Sequence, residues 1–252
     1  TLGISSAAAF GANVAIIVMG AGTVLVRGGD AVSISNPYLV TVCSFACAMG
    51  AMFIILSLAK LRGFTPEAIV LAGVALSAVF SAGITVIQYF AQDTEIAAAV
   101  FWTFGDLGRA SWTEVLIMAI VVFLSIVYFI FRRWDYNALD NGEETAKSLG
   151  VHTERVRAGG LFASALITAV AVSFLGIIGF IGIISPQIMR RVLGADHRFL
   201  IPASALGGAV LLLIADILAR TIISPVVLPV GTVTSMFGAP LFLYLLMRGK
   251  KR

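Results

Sequence analysis

Side chains capable of chemistry are scarce in these 252 residues and gather in a few places. The densest is 132–157, RRWDYNALDNGEETAKSLGVHTERVR, which mixes arginine, lysine, carboxylates and a histidine. Within it, 142–148 (GEETAKS) has the outline of a phosphate-binding loop, with Lys147 and Ser148 at its end. Ala146 stands where that loop needs a glycine, and no strand precedes it, so the segment does not bind nucleotide. His152 and His197 are the only histidines, and both fall in polar segments between apolar runs. Cys43 and Cys47 lie four apart inside an apolar run, on one helix face, and read as small packing residues. No His or further Cys joins them to complete a soft-metal site. The chain therefore offers no catalytic, metal or cofactor constellation and does not read as an enzyme. Asp216 and Arg220, also four apart, are the only ionisable pair in an apolar helix. They form either a local ion pair near the membrane interface or, through Arg220, an outward-facing docking point.

These groups are carried by elements built for lipid. Hydrophobic residues make up 60% of the chain and charged residues 12%, where a soluble domain needs roughly a quarter charged. The net charge of +4 comes from clusters in a few loops, a pattern of membrane topology and not of nucleic-acid binding. A helix needs about 20 apolar residues to cross the hydrocarbon core. Segments near 5–26, 38–59, 67–90, 112–131, 199–223 and 231–247 qualify. The run 158–189 would be about 48 Å long as one helix, against a core of about 30 Å. Two crossings are expected there, with Gly176, Gly179 and Gly182 near the turn and a short second helix around Pro186.

Charge distribution supports this division. With eight crossings, Arg27, Arg109 and Arg220 face outward, and the other lysines and arginines, including the basic C-terminus, face the cytoplasm. A single crossing of 158–189 would move Arg190, Arg191, Arg198 and the C-terminus outside and erase the asymmetry, against the positive-inside rule. Both ends are thus expected in the cytoplasm. The outer loop 91–114 carries Asp93, Glu95, Asp106 and Glu114, with Trp102 and Trp112 expected as interface anchors. Gly3, Ala7 and Gly11, at four-residue spacing, predict close helix packing. The opening TLGISS has neither an initiator Met nor a charged leader, and reads as an internal start.

The loop 132–157 predicts a short helix over 139–149. Asn141 is placed to cap it, Glu143 and Glu144 fall in its first turn, Lys147 follows Glu143 by four, and Gly150 stops it. A helix with Ala146 and Leu149 on one side suits a groove on a partner, and a solvated connector is the plainer reading.

The motifs then resemble a known family. GFIGIISPQIMRRVLGADHRFLIPASALGGAVLLLIADILAR, followed by LPVGTVTSMFGAPLFLYLL, resembles the FecCD/BtuC-type permease subunits of ABC importers for iron-siderophores, haem and vitamin B12. TLGISSAAAFGA is similar to that family's GISSGAAFGA, with Ala7 in place of Gly. NGEETAKSLGV is similar to its LGEEAARSLGV, with Asn141 replacing the leading residue. The resemblance runs through essentially the whole chain. It implies an all-α polytopic membrane bundle of the type II importer class, with about eight of the family's ten transmembrane helices present and the first two absent. Residues 1–252 would then be one permease domain in the cytoplasmic (inner) membrane.

The resemblance also implies partners. The subunit would pair as a homodimer or with a paralogue, and an extracytoplasmic substrate-binding protein would dock on basic residues, Arg220 matching one such position. Val227 stands where many relatives carry Glu, and valine cannot make that polar contact. Two cytoplasmic ATPase subunits would couple through 139–155, with Leu139, Gly142, Glu143, Glu144, Ala146, Leu149, Gly150 and Arg155 as its residues. ATP binding would close the ATPase pair and tilt the permease subunits between outward and inward openings. Two other classes remain at this stage, a secondary transporter and an inactive fragment or assembly module. The first would require carboxylates near mid-membrane, where the helices offer only uncharged groups such as Asn13, Thr85, Gln88, Ser164 and Thr168.

Overall fold

The computed structural model describes residues 3–21, 36–223 and 227–248. Arg27, the tail of the first expected crossing, and Lys250, Lys251 and Arg252 lie outside the described residues. Among those described there is no strand, and one isolated parallel bridge joins Phe104 and Ile177. The helices are α1 (Ile4–Asn13, continuing as a π-helical turn Val14–Val18), α2 (Pro37–Leu61), α3 (Pro66–Tyr89) and α4 (Asp93–Thr103). They continue as α5 (Trp112–Phe131), α6 (Arg133–Asp140), α7 (Glu143–Ser148), α8 (Thr153–Leu175), α9 (Ile181–Leu193), α10 (His197–Thr221) and α11 (Val230–Arg248). Five of them, α2, α3, α5, α8 and α10, are long and apolar enough to cross a membrane. Ile4–Val18, α9 and α11 take the places of the other three expected crossings, and α9 has only 13 residues.

Helix starts follow local chemistry. The Asn36 side chain accepts the Leu39 N–H at 3.2 Å and Pro37 opens α2. Thr65 and Pro66 repeat the arrangement at α3, with proline at a position whose N–H would have no helical partner. The long run 158–189 is divided where expected. Gly176 closes α8 with φ +77°, and α9 opens at Phe180, which itself takes φ +65°. The second left-handed residue of the turn is thus a phenylalanine and not one of the predicted glycines. Gly182 lies inside α9, and a Cβ on Gly179 would sit 3.1 Å from the Ser235 hydroxyl of α11.

The contacts form two compact units. The first contains α1 to α4, α5 up to Val121, and α8 from Leu161. Here α1 packs through small residues. A Cβ on Gly11 would run into the Cys43 backbone carbonyl of α2, and one on Gly3 would come 2.7 Å from the Gly73 carbonyl of α3. The core around this seam is Ala8, Ala12, Ala15, Ile16, Val40, Met52, Ala98, Ala99 and Trp102. Trp102, expected as an interface anchor, is instead 3% exposed within this core. The stretch after Gln92 is a helix, with the Gln92 N–H donating to Glu95 Oε2 at 3.0 Å, and Trp102 lies on its packed side. Trp112 is 89% exposed. The buried amide of Asn13 donates to the Ala9 carbonyl and accepts from Gln88 at 2.9 Å, while Thr85 and Thr168 donate to carbonyls of their own helices.

The second unit holds 105–108, α5 from Val122, α6, α7, α8 up to Gly160, and α9 to α11. Ser185 of α9 donates to the Ser204 carbonyl of α10 at 2.6 Å. Gly207 leaves room for this contact, since a Cβ there would come 3.1 Å from the Ser185 hydroxyl. Ala215, Ala219, Val230 and Val233 make a smaller core between α10 and α11.

The small-residue seam gives a direct test. Gly11→Ala should destabilise the detergent-solubilised protein by about 1–3 kcal/mol, since a backbone carbonyl cannot move aside as a side chain can. Gly50→Ala in α2, with open space around it, should instead gain about 0.5–1 kcal/mol from helix propensity. Thermal unfolding followed by tryptophan fluorescence distinguishes the two outcomes.

Candidate functional site

The polar segment between α5 and α8 is two helices. Leu139 and Asp140 end α6, Asn141 follows it, and Gly142 takes φ +110° with ψ 151°, a backbone conformation that glycine alone adopts readily. Helix α7 then starts at Glu143. The single helix expected over 139–149 is therefore broken, and Asn141 does not cap α7; its amide donates back to the Asn137 carbonyl at 2.9 Å. Gly150 does stop α7, at φ +81°. Its N–H reaches the Lys147 carbonyl at 3.0 Å and the Val151 N–H reaches the Ala146 carbonyl at 3.0 Å, the paired bonds of a Schellman ending.

Glu143 fixes α7 in place. One carboxylate oxygen pairs with Lys147 at 2.8 Å, as the spacing predicted, and the other with Arg157 of α8 at 2.9 Å. The Lys147 hydrogen bond, with the charge of Arg157, holds this carboxyl below its usual range. Ala146 is fully buried, so it anchors α7 inward and is not available to a partner. Glu144, Leu149, Gly150 and Arg155 are exposed, Leu149 at 68%. The surface offered outward is thus narrower than the expected set: Glu143 and Ala146 hold the helix, and Glu144 and Leu149 face away from it.

Helix α6 carries contacts that spacing did not reveal. Tyr136 of α6 lies against Gly160 of α8, as Tyr128 of α5 does against Gly159, and any Cβ at either glycine would run into the facing hydroxyl. Burial pushes the Tyr136 phenol above its ordinary range. Asn137 Nδ2 donates to Asp196 Oδ1 at 2.9 Å, and Asn137 Oδ1 accepts the His197 N–H at 2.8 Å. Asp196 also caps α10 by accepting the Arg198 N–H at 2.9 Å, and these donors hold its carboxyl below the usual range. Asp140 faces Arg190 of α9 at 3.4 Å. The order Asp196, His197, Arg198 ahead of an apolar run was a readable N-cap signal; its partner Asn137 was not.

In the same unit, Arg220 Nε donates to Asp216 Oδ2 at 2.9 Å, so the i,i+4 pair exists. The Arg220 side chain is 46% exposed, and its guanidinium lies beside the loop 105–108, where a Cβ on Gly108 would be 3.4 Å from it. That loop is pinned by the Val230 N–H on the Gly105 carbonyl at 2.9 Å. Val227 is exposed. Pro186 sits inside α9, as expected, and removes the bond that the Gly182 carbonyl would accept.

Residues 1–248 match the model of the FecCD transport family. The chain belongs to this family. It is 60% identical over 252 residues to a Methanocaldococcus jannaschii protein named as an inferred ABC transporter permease, covering all of this chain and 72% of that protein. It is 39% identical over 248 residues to a cobalamin import system permease of Halobacterium salinarum, covering 97% of this chain and 62% of that one. It is 38% identical over 184 residues to a hemin transport system permease of Yersinia pestis, covering 73% and 55%. The fold matches a solved inward-facing structure of an inferred metal-chelate type ABC transporter, with TM-score 0.84, 27% identity and coverage of 98% and 74%. Five membrane-length apolar helices and this membership make the FecCD family chain a multi-pass membrane protein with an all-α permease fold.

The Glu143 tie is testable by pH. A carboxyl whose folded pKa is depressed stabilises the structure above its ordinary value of about 4.3 and loses that contribution as pH falls toward the folded value. Amide exchange over 146–151, corrected for intrinsic rate, should accelerate on going from about pH 6 to about pH 3.5 in the parent protein. The acceleration should be smaller in Glu143→Gln, and equal acceleration in both would show that the tie does not hold α7.

Proposed function

We propose that this chain is the membrane-spanning permease subunit of an ATP-binding cassette importer for an iron chelate, haem or a corrinoid. Two copies, or one with a paralogue, would enclose the pathway in the cytoplasmic membrane, with both chain ends in the cytoplasm. The observation that supports this most is α7, a six-residue helix clamped to α8 by Glu143 and Arg157 while Glu144 and Leu149 stand exposed. A clamped helix with an exposed edge passes on force, where a loose connector would absorb it. Residues 139–155 thus serve as the coupling segment for two ATPase subunits. The names of the relatives, covering haemin and cobalamin permeases, support the cargo class. Arg220, half-exposed at the far end of α10, serves as a docking point for an acidic group on a substrate-binding protein.

Glu144→Arg should insert normally and yet lose co-purification of the ATPase subunits, with ATP-dependent uptake reduced about tenfold or more. Gly150→Pro should do the same, because proline is fixed near φ −65° and cannot take +81°. Uptake of radiolabelled ferric chelate, haemin and cyanocobalamin into proteoliposomes reads the result. Unchanged co-purification and uptake, or uptake that persists after ATP depletion, would remove the assignment.

Arg220→Glu should weaken binding-protein affinity by roughly tenfold at low salt, about 1.4 kcal/mol. An unaltered affinity in a binding titration would limit Arg220 to its pair with Asp216.

A further inference from the structure

The contacts of α6 reach in two directions. Through the segment after it, α6 leads into α7, which is clamped to α8. Its other face meets the turn between α9 and α10. Tyr136, Asn137 and Asp140 share that face, and each has a partner there. The Tyr136 ring stacks on His197 at 5.7 Å with an interplanar angle of 27°. Asp140 meets Arg190 at 3.4 Å and His197 Nδ1 at 3.7 Å. Asn137 uses both ends of its amide on two consecutive residues. Its Nδ2 donates to Asp196, and its Oδ1 accepts the His197 N–H, with His197 Nδ1 also 2.9 Å away. The opposite amide orientation would set donor against donor at His197 and acceptor against acceptor at Asp196, so the network fixes the amide.

An open cavity of about 460 Å³ borders this clamp, lined by Phe129, Tyr136, Pro186, Arg190, His197 and Leu200 among others. Hydrogen bonds, the Asp140–Arg190 pair and the Tyr136–His197 stack together link α6 to the α9–α10 turn. The neighbouring part of α9 is also built to yield. Pro186 interrupts its hydrogen-bond ladder beside the cavity, and bends concentrate at such positions. Below Pro186, α9 is held to α6 by Arg190; beside it, Ser185 holds α9 to α10.

We propose that Asn137 is the positioning residue that makes α6–α7 and the α9–α10 turn move as one piece, so that displacement at α7 is passed to α9 and α10. This rests on the reading of α7 as the coupling helix and adds the path by which its motion enters the membrane-spanning helices. Asn137 suits this role because its amide bonds one residue that caps α10 and another that begins it. Pulling on α6 therefore pulls on the end of a 25-residue helix.

The test exchanges the two hydrogen-bonding groups in the assembled transporter with its ATPase subunits, reconstituted in proteoliposomes. Asn137→Asp sets two carboxylates against each other and should lower the ratio of transport to ATP hydrolysed at least about fivefold, with ATPase co-purification and thermal stability retained. Asp196→Asn alone keeps an acceptor and a helix cap, and should stay within about twofold of the parent. The double variant, Asn137→Asp with Asp196→Asn, removes the repulsion between the two carboxylates while the amide oxygen at 196 still caps α10, and should recover the ratio to within about twofold. The probe is whichever of ferric chelate, haemin or cyanocobalamin the parent accumulates.

An unchanged ratio in Asn137→Asp, or no recovery in the double variant, overturns the inference. Should Asn137→Asp fail to insert, Asn137→Ser, which keeps one polar group and loses the double contact, must show the same loss of ratio with hydrolysis intact. If Glu144→Arg releases the ATPase while Asn137→Asp keeps the parental ratio, only this inference fails. If Glu144→Arg keeps both ATPase and transport, the coupling reading fails with it.

Discussion

In lipid, a leucine gains almost nothing by moving from the surrounding acyl chains into the protein, so helices associate by close backbone approach and by polar contacts. This constraint organises the structure. Of α5's 20 residues the one buried is Ser125, while Leu116 and Phe123 are more than 60% exposed. At the seam of α1 with α2 and α3, glycine and alanine occupy the contact positions, and Gly11 leaves no room even for a methyl group. Backbone polar groups are satisfied within helices, as a medium without water requires, and Asn13, Thr85 and Thr168 return their side-chain bonds to nearby carbonyls or to Gln88.

Around α6 and α7 the interactions change character. Ion pairs and charge-assisted hydrogen bonds replace small-residue packing: Glu143 with Lys147 and Arg157, Asp140 with Arg190, Asp196 with Asn137 and the Arg198 N–H. Exposed pairs of this kind contribute little stability one by one. Their geometry is more informative than their strength, because they join particular elements: α7 to α8, α6 to α9, and α6 to the start of α10. Helices that pack by sliding surfaces can shift against one another, whereas elements tied by directional bonds shift together.

Several features were legible because they depend on local chain physics. The break within 158–189 followed from length against membrane thickness and from charge placement, and the end of α7 at Gly150 from the absence of a Cβ. The Glu143–Lys147 and Asp216–Arg220 pairs followed from helical spacing. The errors have equally local causes. Asn141 looked like a cap because it precedes two glutamates, yet Gly142 breaks the chain between them and takes the capping place. Trp102 looked like an interface anchor because it falls in the outer loop 91–114, yet a helix of 11 residues turns it into the core. Ala146 was grouped with exposed Leu149, although the turn of α7 buries one and exposes the other.

The sequence by itself determined the solvent, the places where the chain must cross or turn, and the family, since these reside in composition, run length and contiguous motifs. Only the tertiary structure decided which faces are buried and which distant polar groups meet. The reason is physical. In a soluble helix the apolar stripe marks the buried side, but a helix in lipid is apolar on every side, so its pattern does not point inward. Asn137 and Asp196 are separated by 59 positions, and no spacing rule links them; they meet because Gly160 lets α8 close on Tyr136 of α6 and because α10 begins where Asp196 can cap it.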